Sequence, residues 1–131
     1  MLLEQALHQL WSDDQTLNAL LPADHVTTGR SRLDALPRAT ICRESQRTVC
    51  RTNSGDTLEE ITIDMRLRHE SFADGIAIVR QFLTTFEHSH FDLSENAIVL
   101  ALQPIKDTCH QENDNTWQFQ TKLLARILLK P

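Results

Sequence analysis

Two pairs of residues lie close enough in the sequence to suggest a metal ligand pair or a nucleophile with its base: His88 and His90, and Cys109 and His110. Two histidines two residues apart can bind one metal ion from a strand, but no third ligand and no cysteine lies near this pair. They follow a predicted helix, where histidines cap or solvate the negative end. A cysteine nucleophile needs its base close in space and a third group that orients the base. An incidental loop pair is therefore the better interpretation of Cys109 and His110.

The motifs that cradle nucleotides or build hydrolase sites are missing. The chain has three glycines and contains no GxGxxG, GxxxxGK[ST], GxSxG or HExxH. Glu59 and Glu60 are adjacent carboxylates, but neighbours on a strand point to opposite faces, which argues against shared acid–base catalysis. We therefore predict no catalytic residue, no metal and no cofactor. The alternative is a small binding module or enzyme that uses the four residues above in a pocket between sheet and helix.

Length and composition indicate one domain, residues 1–131, of an ordinary globular protein. No apolar run approaches the roughly 20 residues that span a bilayer, so we predict no membrane partner. The N-terminal stretch has an acid at Glu4 and no basic residues, which argues against a signal peptide. Three cysteines without a CxxC pair favour reduced thiols and an intracellular protein.

Charge is segregated along the chain. The net charge is -5, yet residues 30–51 hold six arginines against Asp34 and Glu44. An acidic protein with one short basic segment and no tyrosine is a poor candidate for a nucleic-acid stacking surface. Arginine outnumbers lysine by ten to three, and arginine is enriched at protein interfaces. The segment either meets an acidic face of another subunit or is a solvated loop and strand.

Periodicity predicts most of the elements. Apolar residues at helical spacing indicate a helix over residues 2–11, a second turn capped by Ser12, and an end at Pro22. A strand follows Pro37, with the poor alternation of an edge strand. A turn at residues 52–56 leads into a strand over residues 57–69 with one apolar and one polar face.

The second half predicts a helix and two more strands. Ser71 caps a helix whose expected buried stripe is Phe72, Ile76, Val79, Leu83 and Phe86. An apolar strand over residues 97–102 should stop at Pro104, before a long loop at residues 106–115. The last strand alternates from residue 116 to 128. The predicted fold is α+β, a four-stranded, mainly antiparallel sheet of two hairpins, with the central and N-terminal helices on one face.

With these elements in place, the chain resembles the small tail-completion proteins of long-tailed bacteriophages and prophages, including tail terminators. The matching features are spread over most of the chain. In the first half they are the helix that ends at Leu20-Leu21 and the pair Leu36-Pro37 before a strand with Arg43. Further on they are the turn Ser54-Gly55-Asp56 before TLEEITIDMRLRHE, the segment AIVRQFL at residues 77–83, and the closing strand WQFQTKLLARI.

The resemblance implies a structural rather than an enzymatic role. Such proteins form rings, commonly hexamers, that cap the tail tube and face the head–tail connector. DNA passes through the ring without sequence readout. The chain would then assemble in the bacterial cytoplasm and end in the virion tail. The candidate subunit contacts are Arg43, Arg47, Asp64, Arg66 and Arg68, on the basic segment and on the polar face of the second strand.

Overall fold

The computed structural model describes residues 2–29, 35–87 and 89–131. Three α-helices lie in these ranges: α1 (Leu3–Asp13), α2 (Gln15–Leu20) and α3 (Phe72–Phe86). The strands in the same ranges are β1 (Val26–Thr28), β2 (Arg38–Arg51), β3 (Thr57–His69), β4 (Phe91–Ser94), β5 (Ala97–Gln111) and β6 (Trp117–Leu129). None of the described helices is long and apolar enough to cross a membrane.

The strands form one six-stranded sheet in the order β1-β2-β3-β6-β5-β4. The pair β1–β2 is parallel and every other pair is antiparallel, so the sheet is mixed. The prediction of a four-stranded sheet was therefore wrong. Its two hairpins, β2–β3 and β5–β6, are present at the centre, but β1 and β4 extend the sheet on both sides. These two strands have three and four residues, too few to show the alternation that identifies a strand.

Strand β5 also differs from its prediction. It does not stop at Pro104 but continues to Gln111, and the loop is confined to residues 112–116. Proline is tolerated because β4 pairs only with Ala97–Val99, which leaves one edge of β5 without a described neighbour at this point. A shift in register at Ile105 follows Pro104 directly, as at other β-bulges.

The hydrophobic core lies between the helices and one face of the sheet, here called the inner face. Its β3 contribution is the predicted alternating set, Ile61, Ile63, Met65 and Leu67, and all four are buried. Helix α1 covers this face with Trp11, which is completely buried against Phe82 and Phe86 of α3. The Trp11 indole donates its hydrogen to the Leu21 carbonyl at 2.9 Å, so its one polar atom is satisfied.

Helix α3 begins at the predicted cap, Ser71, and most of its predicted stripe contacts the core. Val79 and Phe86 are buried and Ile76 and Leu83 partly buried, whereas Phe72 is 44% exposed. The other buried residues are Gly75, Ile78 and Phe82, so the buried side is shifted toward them. Gly75 allows this shift of the buried side, because a Cβ built there would clash with the Phe119 ring. The bare backbone of α3 therefore packs directly on the β6 aromatic ring.

Asp14, rather than Ser12, caps helix α2. Its carboxylate accepts the Leu17 amide at 2.8 Å and the Thr85 hydroxyl at 2.6 Å, which joins α2 to α3. These two hydrogen bonds, the Thr85 bond first, hold the pKa of Asp14 below its usual 3.8. A lowered pKa in the folded state stabilises the fold above the unfolded pKa, and this stabilisation is lost as pH falls through the folded value.

Replacing Asp14 with Ala is expected to lower the free energy of unfolding by about 1–2 kcal/mol at pH 7, because the cap and the bond to α3 are both lost. The difference from the wild type should shrink as pH falls below 3.8. Urea unfolding at pH 7 and at pH 3 measures both effects. Asp13→Ala, one residue away and exposed, is the matched control and should change stability by less than about 0.5 kcal/mol. A difference that stays constant with pH would contradict the role of the charge.

Candidate subunit-contact surface

The face of the sheet away from the helices, here called the outer face, carries the predicted polar positions of β3. Strands β2 and β6 pair with β3 on either side, so side chains on this face form rows across three strands. The rows are Arg38, Arg68 and Gln118; Thr40, Arg66 and Gln120; Cys42, Asp64 and Lys122; and Arg47, Glu60 and Arg126.

Asp64 is the buried centre of this face. Only 4% of the residue is exposed. One carboxylate oxygen accepts Nε of Arg66 at 3.0 Å and the other accepts the Gln120 amide at 3.0 Å. Asp64 is therefore held by its own chain, and its part in a subunit contact would be to fix the position of Arg66, whose side chain is about half exposed.

Glu60 forms a second ion pair network toward the β2–β3 turn. It is 8% exposed and receives Arg47 at 2.8 Å, with Arg126 at 3.7 Å on the other side. The Arg47 side chain remains 75% exposed. Among the predicted contact residues, Arg47 therefore has a side chain that is held in place by Glu60 and is still mostly exposed to solvent.

Arg68 binds the loop that joins β5 to β6. Its terminal nitrogen donates to Asp114 at 3.2 Å and to the Thr116 hydroxyl at 3.0 Å. The Thr116 hydroxyl and amide, and then the Arg68 charge, lower the pKa of Asp114. Arg68 thus ties the end of β3 to the tip of the second hairpin.

Arg43 lies apart from the other predicted residues. It is opposite Ile63 on the inner face and binds Glu4 of α1 through two nitrogens, at 2.7 and 3.0 Å. The structure brings Arg47, Asp64, Arg66 and Arg68 together on one face and places Arg43 on the other. Its observed contacts fasten α1 to β2.

Charge separates between the two sides of the molecule. Basic residues on the outer face outnumber acidic ones; the bases are Arg38, Arg47, Arg66, Arg68, Lys106, Lys122 and Arg126, and the acids are Glu44, Glu60, Asp64, Asp92 and Asp114. Residues 1–29, which include α1 and α2, have four acids and no lysine or arginine. The β6 residues of the outer face were absent from the predicted contacts, although the alternation of the last strand already placed Gln120, Lys122 and Arg126 together.

Two strand edges lack a neighbour within the described residues. Strand β1 covers β2 only at Ala39–Ile41, and β4 covers β5 only at Ala97–Val99. The uncovered lengths are residues 42–51 of β2 and 100–111 of β5, and they lie on opposite sides of the sheet. Exposed apolar side chains at strand irregularities mark both: Val49 on β2, and Leu100 and Ile105 on β5. Unpaired edges of this kind are sites at which another chain can add.

Cys109 and His110 do not come together as a nucleophile and its base. Cys109 and His110 are successive on β5 and therefore point to opposite faces, and His110 lies 3.1 Å from Glu112. Burial, and then the Asp64 charge, raises the pKa of Cys42, which makes it a poorer nucleophile. His88 lies outside the described residues, and those that are described contain no group of three metal-binding side chains.

Comparison with solved structures places the fold among known ones. The chain matches one in a structure described as "Virion of native gene transfer agent (GTA) particle", with a TM-score of 0.72 and 14% sequence identity. The match covers 96% of this chain and 94% of that one, so the two share their whole fold. No protein-family model matches the sequence, and no curated protein does either.

Proposed function

We propose that this chain is a structural subunit of a phage-like particle, and within it a tail terminator or tail-completion protein. The observation that carries the proposal is the shared fold with a chain of a gene transfer agent virion over almost the full length of both. In this role the chain forms a ring that caps the tail tube and joins it to the head–tail connector. The ring would have six copies, as is common among tail terminators. DNA passes through the ring without sequence readout.

Two features of the sheet support a ring. The uncovered edges of β2 and β5 lie on opposite sides, so one copy offers a different edge to each neighbour. Such a heterologous contact generates a ring when its rotation closes. The two strands also run antiparallel within the sheet, so edge-to-edge addition of copies would continue the antiparallel pairing.

The proposed contact residues on the outer face are Arg47, Asp64, Arg66 and Arg68, with Arg43 acting through its hold on α1. Arg47 is the most informative of them to change. Its removal leaves Arg126 beside Glu60, so the chain should stay folded. Arginine at such a position contributes through paired hydrogen bonds to a carboxylate of the partner.

Native mass spectrometry and analytical sedimentation of the chain, alone and with a tail-tube protein, test assembly. We expect a closed oligomer that forms or becomes more stable when the tube protein is present. Arg47→Gln should weaken the oligomer about tenfold or more, because the charge pair with the partner is lost while Arg126 stays beside Glu60. Arg80→Gln, on the exposed side of α3, is the matched control and should assemble normally. A chain that stays monomeric at all concentrations, with and without the tube protein, would contradict the proposal.

A further inference from the structure

A polar pocket opens on the outer face where β3 ends and β6 begins. Its volume is about 210 Å³, and its lining consists of Arg38, Thr40, Arg66, Arg68 and Gln118. All five side chains carry hydrogen-bond donors, and none of these described lining residues is acidic or apolar. The pocket therefore has the composition of an anion-binding site.

Strand register concentrates positive charge around this pocket. Arg38 is directly opposite Arg68 on the neighbouring strand, and Arg66 lies two residues before Arg68 on the same face. Like charges directly opposite each other in an antiparallel pair are destabilising. Asp64 and Asp114 bind Arg66 and Arg68 but are not among the described lining residues, so the described wall of the pocket presents guanidinium groups and no carboxylate.

Several donors here are still available. Nε of Arg68 is buried and has no hydrogen-bond partner, which is unusual for a buried donor. Arg66 uses Nε for Asp64, and its two terminal nitrogens make no hydrogen bond to the described part of the chain. A ligand with several acceptor oxygens would satisfy what the protein leaves open.

We propose that this pocket binds a phosphate group. Guanidinium groups match oxyanions through paired N–H donors. Inorganic phosphate carries a charge near -2 and four oxygens, which can reach donors on β2, β3 and β6 together. A DNA backbone phosphate carries one negative charge and two free oxygens, so it engages fewer of these donors, as a carboxylate does. The phosphate comes either from the backbone of DNA or from inorganic phosphate. The site belongs to the single chain and does not depend on ring formation.

Isothermal titration calorimetry with inorganic phosphate and, separately, with a short DNA duplex tests the site. Sodium chloride keeps the ionic strength constant, because nonspecific binding depends strongly on salt. Arg68→Gln should weaken phosphate binding about tenfold, as expected for the loss of a charged hydrogen-bond donor. Gln118→Glu should also lose binding while staying folded, because it places a competing carboxylate among the arginines. Arg80→Gln, on α3, is the control and should bind as the wild type.

The outcomes separate the two sources of phosphate. If Arg68→Gln weakens binding of both the duplex and inorganic phosphate, the site takes a DNA backbone phosphate. If inorganic phosphate alone binds and is lost in this variant, the site takes the free ion. The proposal is overturned if the wild type binds neither ligand or if acetate binds as tightly as phosphate. It is also overturned if Arg80→Gln loses binding or if Gln118→Glu binds as tightly as the wild type.

Discussion

Trp11→Ala is expected to reduce the free energy of unfolding by about 3–5 kcal/mol, the largest effect of any single change considered for this chain. The indole is completely buried and lies 5.7 Å from the Phe82 ring and 6.4 Å from the Phe86 ring. Its loss leaves a large cavity between α1 and α3. It also leaves the Leu21 carbonyl without its hydrogen bond.

Chemical unfolding followed by circular dichroism measures this loss. Trp11→Phe keeps one aromatic ring in the core but removes the donor and part of the volume; it should cost less than Trp11→Ala, with about 1–3 kcal/mol of the loss from the unpaired carbonyl. Trp117→Ala is the matched control, since Trp117 is only partly buried and stacks on the exposed Phe72 at 4.8 Å. We expect a clearly smaller loss there. Equal losses for both tryptophans would contradict the position of α1 in the core.

Arg66→Glu is expected to destabilise the single chain by about 2–3 kcal/mol, even before any effect on assembly. The buried Asp64 carboxylate loses its bond to Arg66 and gains a negative neighbour. Removing one partner of a fully buried pair costs about 3–5 kcal/mol, and the half-exposed Arg66 side chain reduces this through solvent screening.

The double variant Asp64→Asn with Arg66→Glu tests the cause. Asparagine removes the repulsion and keeps an oxygen that accepts the Gln120 amide, so part of the lost stability should return. Thermal unfolding of the wild type, both single variants and the double variant gives the coupling between the two residues. Additive effects would show that the charge pair is unimportant. A test of assembly through Arg66 therefore needs a check of folding, whereas Arg47 avoids the difficulty.

Local patterns predicted the centre of the molecule well. The alternation of residues 57–69 gave the bounds and the buried face of β3, and Ser71 gave the start of α3. The buried side of helix α3 is nevertheless shifted toward Gly75, Ile78 and Phe82. That shift depends on the close approach of Gly75 to Phe119, which are 44 positions apart, and periodicity within one helix carries no information about it.

The edges of the sheet and the network of the outer face were harder to predict. Pro104 predicted the end of a strand, because proline cannot pair on both sides. Strand β5 continues past it because β4 pairs only with Ala97–Val99, and the four residues of β4 show no clear pattern in the sequence. The rows on the outer face depend on the register between β2, β3 and β6. Single-strand alternation identified Asp64 and Arg66 as polar and exposed, but only the register shows that Gln120 helps to bury Asp64.

The uncovered edges of the sheet have a geometric consequence for any closed assembly. The uncovered edges start at different heights along the sheet. Residues 42–51 of β2 pair with residues 57–64 of β3. Residues 101–111 of β5 are in register, through β6, with residues 60–69 of β3. Full pairing between copies requires a slide of about four residues along the strands, or about 13 Å. Such a slide, repeated at each junction, is the shear that closes a barrel, and it inclines every strand to the axis of the channel.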